Sequence, residues 1–167
     1  MIEKIFRNYL EIKSLRDLNE VTKPSEKYSV KLLDPKDFQL NKFFYKSIGK
    51  NCQWVDRLVW SDINWTDYIS NKKLSTYILK DENEIAGYFE LIFNQELREA
   101  EIAYFGILEE YFGKKLGSYL LSEAIKYSFS IGALRVWLHT CSLDHKNALN
   151  NYLSRGMKIF KSEKLIR

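Results

Sequence analysis

The chain has 167 residues, of which 46% are hydrophobic, with seven glycines, two prolines and a net charge of +4 from 26 basic and 22 acidic residues. This suffices for one domain whose core needs neither disulfides nor metals, and it excludes linker-rich and solenoid architectures. The basic residues are spread without a block, which disfavours nucleic-acid binding, and no run of about 18 apolar residues exists to span a membrane.

In chain order, residues 5–12 alternate loosely and predict a peripheral strand, followed by a short capped turn from Ser14 to Leu18. Residues 1–26 read as an N-terminal extension packing on the main domain. Tyr28 opens the first main strand, and Asp34-Pro35 predicts a helix start with aspartate as cap and proline in the first turn. Phe38, Leu40, Phe43, Phe44 and Ile48 then form one apolar helical stripe.

Residues 53–68 hold three of the four tryptophans, with a helix capped by Ser61 or Asp62. Large aromatics here suit a core stripe. They equally suit a wall against which Trp54, Asp56 and Arg57 orient a small substrate. Residues 74–79 and 84–93 alternate around Asp81-Glu82-Asn83, a hairpin pattern. Period-two spacing puts Ile85, Gly87, Phe89, Leu91 and Phe93 on one face and Ala86, Tyr88, Glu90 and Ile92 on the other. Glu90 then sits among apolar neighbours, either as a rim carboxylate or as a base with a perturbed pKa.

Residues 100–108 form a strand rich in aliphatic and aromatic side chains, and Glu101 is its one charged residue. After Glu109-Glu110 comes a turn, residues 111–118, and then helical spacing until Gly132. Such a turn offers unpaired N–H groups at the positive end of a helix, a site for phosphate, although a solvated turn has the same composition. Gly-x-x-x-x-Gly-Lys-Ser/Thr and Gly-x-Gly-x-x-Gly are both absent. A strand over 134–141, a helix over 147–155 closed by Gly156 and a last strand from Met157 complete the chain, so strand, helix and strand make a right-handed parallel crossover.

His139, Cys141, Asp144 and His145 are close in sequence, but no paired Cys-x-x-Cys accompanies them and no metal is expected. Cys52 and Cys141, far apart, read as free thiols of a reducing compartment. The N-terminus lacks a signal-peptide core, so a soluble cytoplasmic protein is expected.

The run from Glu101 to Leu121 resembles the acetyl-CoA-binding motif of the GNAT superfamily of N-acyltransferases, Gln/Arg-x-x-Gly-x-Gly/Ala. Gly113 and Gly117 fit, while Phe112 stands for the usual Gln or Arg and Lys115 for the first Gly. A second GNAT block, Asn-x-x-Ala-x-x-Phe-Tyr-x-x-x-Gly-Phe, is matched by Ala148, Tyr152 and Gly156, with His145, Asn151 and Met157 as departures. The resemblance implies an α/β fold with a mixed, mostly antiparallel central sheet, a parallel strand-helix-strand crossover and helices on both faces. It implies acyl transfer from acetyl-CoA, without a metal, to an amine acceptor that is a small molecule or a peptide. A homodimer is left open. On the same basis Ile107 and Leu108 would bind the pantetheine arm through their amides, and Phe112, Gly113, Lys114, Lys115, Leu116, Gly117 and Ser118 the pyrophosphate. His145 and Tyr152 would complete the cofactor site. Glu101 would act as base with Glu90 in reserve, Tyr152 would protonate the departing thiolate, and Trp54, Asp56, Arg57 and His139 would face the acceptor. A non-catalytic acyl-CoA-binding module of the same fold is the alternative, and a nucleic-acid-binding α/β domain a weaker third.

Overall fold

The computed structural model describes residues 4–166; residues 1–3, at the start of the run read for a signal peptide, lie outside the described residues. Strands β1 (Lys4–Ile12), β2 (Tyr28–Leu32), β3 (Leu74–Asp81), β4 (Glu84–Asn94), β5 (Glu99–Ile107), β6 (Arg135–Cys141) and β7 (Lys158–Ile166) form one sheet in the order β2-β3-β4-β5-β6-β1-β7. All neighbours run antiparallel except β5 and β6. Helices α1 (Phe38–Gly49) and α2 (Asp62–Ile69) lie over one face, and α3 (Leu116–Ser130) and α4 (Ala148–Ser154) over the other. The fold is the expected mixed α/β sheet with one parallel crossover.

The α3 face holds the larger core. Leu120, Leu121, Ala124 and Ile125 pack on Leu10, Ile12, Phe89, Leu91, Ala100, Ile102, Val136 and Leu138, all buried. On the opposite face Phe44 and Ile48 of α1 meet Ile78, Tyr88 and Leu108, with the Phe44 and Tyr88 rings stacked at 4.7 Å. The α1 stripe thus faces a core as its spacing predicts. Its cap is Asp37, which accepts from the Gln39 N–H at 3.0 Å, and Asp34-Pro35 lies in the turn before it. For α2 the cap is Ser61, closed into a capping box by Asn64.

The first strand departs from expectation. It is not peripheral: β1 sits inside the sheet between β6 and β7, with Leu10 and Ile12 under α3 and Ile5 buried on the other face. A strand used on both faces shows only loose alternation, and its partners lie more than a hundred residues away, so no local pattern announces the pairing.

Two irregularities reset the side-chain faces. Leu79 pairs with Gly87 and Lys80 with Ile85, which leaves Ala86 as an extra residue on β4. Ala86 consequently joins the α3 core and Ile85 the α1 side, the reverse of simple alternation. On β5, Ala103 is extra, because Glu90 pairs with Tyr104 and Leu91 with Ile102. Glu101 and Tyr104 therefore share the α1 face. Past this point β5 leaves its parallel neighbour: β5 and β6 pair only at Glu99–Arg135, Ala100–Val136 and Glu101–Trp137.

Gly156, which ends α4, has φ of +106°, and an added Cβ would stand 2.1 Å from the Asp17 carbonyl oxygen. There the chain following β1 is tied to α4 through the Asn19 N–H and the Arg155 carbonyl at 2.9 Å. Gly156→Ala is expected to destabilise by at least about 2 kcal/mol, lowering Tm by roughly 4–8 °C. A melt within 1 °C of the wild type, taken as roughly the resolution of such a shift, would show that this packing relaxes freely.

Candidate active site

The parting of β5 and β6 opens a cavity of about 1040 Å³ that passes through the sheet. Its wall on the α3 side begins at the end of β5. The Leu108 N–H donates to the Ala86 carbonyl at 2.8 Å, so in the alternating antiparallel pattern the peptide groups of Ile107 and Phe105 point away from β4, into the gap. Leu108 is thereby corrected as a cofactor residue: its amide is engaged, its side chain is buried and it does not line the cavity. The peptide group of Phe105, unmarked by any side-chain motif, faces the gap instead.

Next comes the start of α3. Both α1 and α2 carry side-chain caps, whereas no side chain caps α3, so the N–H groups of Leu116, Gly117 and Ser118 are open to the cavity. Lys115 is the residue before the helix and adopts the left-handed conformation, φ 63° and ψ 16°. A side chain there costs about 1 kcal/mol against glycine. Gly113, φ +78°, has open space where a Cβ would be, and a Cβ on Gly117 would find only the Asn151 amide at 3.7 Å and Ile107 at 4.0 Å. Packing does not require either glycine to lack a side chain: Gly113 is called for by its positive φ, and Gly117 keeps the cavity clear beside the helix end. Phe112 and Lys115 line the cavity; Lys114 does not and points to solvent.

On α4 and the turn before it, Tyr152 and His145 line the same side. Burial, then Asp144 and Cys52, push the Tyr152 phenol well above its ordinary pKa, so it remains a proton carrier. The His145 ring meets Phe112 edge-on at 5.0 Å, and its Nδ1 accepts from the Asn147 N–H at 3.1 Å, leaving Nε2 outward. Asn151, at a position departing from the GNAT block, brings a buried Oδ1 without a partner to this wall.

The other face of the gap is built differently. Glu101 lines the cavity half-buried, opposite Trp137, and burial alone raises its pKa, with no charged partner among the described residues. Trp54 and Tyr104 meet edge to face at 4.9 Å, with Asp56 exposed beside them. His139 is open to the cavity, yet the protein packed around it desolvates its imidazole, and with the Arg7 charge this lowers its pKa, Asp144 and Glu163 countering. The imidazole is therefore neutral at pH 7.

Glu90 departs from the role expected of it, and Arg57 lines the cavity as expected but with its charge engaged by Glu90. Glu90 is fully buried, does not line the cavity, and accepts from Asn41 Nδ2 at 2.8 Å, Tyr68 OH at 2.5 Å and Arg57 Nη1 at 3.3 Å. A carboxylate held by three donors away from the cavity is no base for a substrate there. The Arg57 guanidinium lies 4.1 Å from the centroids of both Tyr68 and Tyr104, and within 5.6 Å of Tyr45, Trp60 and Trp65. Burial opposes its charge, but Glu90 and the Tyr68 and Tyr104 hydroxyls outweigh that and hold its pKa above the ordinary value. Arg57 fixes the aromatic wall. Its charge is already paired.

Asp144 accepts from Thr140 Oγ1 at 2.5 Å and from the Cys141 N–H at 2.9 Å, so it ties the turn after β6. Among the described residues no group of three His, Cys, Asp or Glu is placed to hold a metal ion, both cysteines are free, and no helix is long and apolar enough to cross a membrane.

This mostly antiparallel sheet with one parallel pair is a fold shared with GCN5-related N-acetyltransferases. Such a protein from Kribbella flavida superposes with a TM-score of 0.67 at 12% identity, over 99% of this chain and 58% of its own. One from Sphaerobacter thermophilus gives 0.68 at 14% identity, over 97% and 50%, so the chain spans only about half the length of these two proteins. An aminoglycoside acetyltransferase from an uncultured soil metagenomic sample, in complex with trehalose, gives 0.66 at 12% identity over 80% and 90%. A search of curated proteins finds no match. The sequence model of the acetyltransferase (GNAT) family matches residues 39–157, and the chain belongs to that family.

Arg57→Met is expected to destabilise by about 3–5 kcal/mol, because it leaves Glu90 charged and buried. Arg57→Met with Glu90→Gln should recover part of that loss. Urea denaturation of the two variants checks this, and equal losses in both would deny the coupling.

Proposed function

We propose that the chain transfers an acetyl group from acetyl-CoA to a primary amine by direct attack. The observation that supports this most is one cavity running through the sheet, with an open helix start on one face and an unpaired, half-buried carboxylate on the other. Bound acetyl-CoA supplies an activated thioester. The chain would hold its pyrophosphate through the N–H groups of Leu116, Gly117 and Ser118, at the positive end of a 15-residue helix. The peptide groups of Ile107 and Phe105 would hold the pantetheine arm in the gap.

Glu101 faces the acceptor side and would take the ammonium proton, directly or through water. Its raised pKa brings its basicity closer to that of the amine it must deprotonate. Tyr152, on the cofactor side and still protonated, would supply a proton to the thiolate. Base and acid thus stand on opposite faces of the gap, so neither neutralises the other.

Millimolar acetyl-CoA is expected to raise Tm, since ligand at a hundredfold excess over Kd adds about 2.7 kcal/mol to the native state. Lys115→Gly should keep the shift, because the backbone already holds a glycine-like conformation. Gly117→Val should remove it by filling the cradle. A folded Gly117→Val protein with the full shift would move the cofactor elsewhere.

Glu101→Gln is expected to lower kcat/KM by roughly 10²–10⁴-fold with CoA affinity unchanged, the loss shrinking at high pH where the amine is already neutral. The same variant should gain stability relative to wild type as pH rises. A carboxyl whose folded pKa is raised stabilises fully below its unfolded value, about 4.3, and loses that contribution as pH climbs through the folded value. Tyr152→Phe should slow thiolate release instead. Full activity in Glu101→Gln would take the base away from this residue.

A further inference from the structure

The acceptor face carries a cation that neither the cofactor nor the base uses. Arg7, from the strand β1 that threads between β6 and β7, lines the cavity beside Ile5 and His139. Its Nε is buried without a partner. The one carboxylate facing it is Glu163, with Oε1 3.7 Å from Arg7 Nη1, beyond hydrogen-bond length. That oxygen already accepts from the Tyr9 hydroxyl at 2.7 Å, and Lys161 Nζ stands 3.8 Å from the other oxygen. Glu163 is therefore shared among Tyr9, Lys161 and Arg7; the Tyr9 hydroxyl also lies against the guanidinium and helps to hold its pKa up, but the planar fork has no carboxylate within hydrogen-bond length at the edge of the cavity.

We propose, on the acyltransferase reading above, that Arg7 binds a carboxylate of the acceptor, so that the substrate class is an amine that also carries a carboxylate. An arginine with open donors matches that group in charge and in its two-pronged geometry. Phosphates held at the start of α3 do not reach it, because Arg7 stands on the α1 face of the sheet, opposite Leu10 and Ile12, which pack under α3.

The register sets the length of the substrate. Glu101 pairs with Trp137, and Arg7 pairs with Cys141, four residues further along β6 and one strand beyond it. Strand geometry separates the two Cα atoms by roughly 16 Å, of which the two side chains span about half. The amine and carboxylate of the acceptor are thus several bonds apart, as in an ω-amino acid or a short peptide with a free C-terminus, and not on one carbon.

The test uses the full chain with acetyl-CoA and matched pairs of amines. These are ω-amino acids of four to six carbons and glycine-containing dipeptides, each beside its own carboxamide, together with an aminoglycoside. Acetylated product and free CoA thiol are both measured. Carboxylates should exceed their carboxamides in kcat/KM by about 10- to 100-fold, the worth of a charged hydrogen-bonding pair. Arg7→Gln should remove that preference through KM, leaving the carboxamides and the acetyl-CoA-induced Tm shift unchanged, and Arg7→Lys should restore part of it. Equal loss on both members of each pair, preference for the carboxamides, or turnover of the aminoglycoside alone would overturn the proposal. So would failure to turn over any carboxylate by a protein that binds acetyl-CoA, with the acyltransferase reading intact. Absence of acetyl-CoA binding would overturn that reading, and this proposal with it.

Discussion

The site depends on the early separation of one pair of parallel strands. β5 and β6 share three residue pairs and then diverge, and the peptide groups that would have continued the ladder are left facing a gap. Backbone groups removed from water need partners, so a gap lined by them is disposed to accept an extended, amide-bearing ligand. The extra residue at Ala103 helps to produce the divergence, because a bulge bends its strand and sharpens its twist. The same bulge turns Tyr104 onto the face that already holds Glu101.

Around this opening the two faces are held by different means. The α3 face rests on aliphatic burial, and its helix follows β5 after the turn at residues 108–115, with its open N–H groups lining the same cavity. The α1 face rests on a buried ion pair. Arg57 comes from an irregular segment and reaches Glu90 through a ring of aromatic side chains. With the guanidinium stacked on them and the carboxylate fixed by three donors, the segment bearing Trp54 and Asp56 has a defined place over the sheet. A weaker geometry would not offset the cost of removing both charges from water.

The departures from the family pattern are absorbed by the backbone. Lys115 takes the left-handed conformation in which a glycine is common, at a modest cost, and its amide geometry is thereby kept. Met157 in place of phenylalanine is buried in the α3 core, a flexible apolar side chain standing for a rigid one. Asn151 does differ chemically. It puts an amide where the family has an aromatic ring, directly beside Gly117.

Much was legible along the chain because the responsible forces are local. Helical spacing in residues 116–131, the capping signal at Ser61, the hairpin at Asp81-Glu82-Asn83 and the single charge in the 100–108 run each follow from neighbours within a few residues. Those patterns, with the two motif blocks, sufficed for the fold class and for picking out the turn before α3, Glu101 and Tyr152, which line the cavity. Tertiary structure decided what depends on distant partners. The place of β1 inside the sheet rests on pairing with segments more than a hundred residues on, and with it came Arg7. Glu90 looked like a perturbed base among apolar neighbours, but Arg57, Tyr68 and Asn41, from other elements, made it half of a buried pair. Leu108 and Phe105 exchanged roles for the same reason: which way a peptide N–H points is set by the strand it pairs with, and no side chain records it.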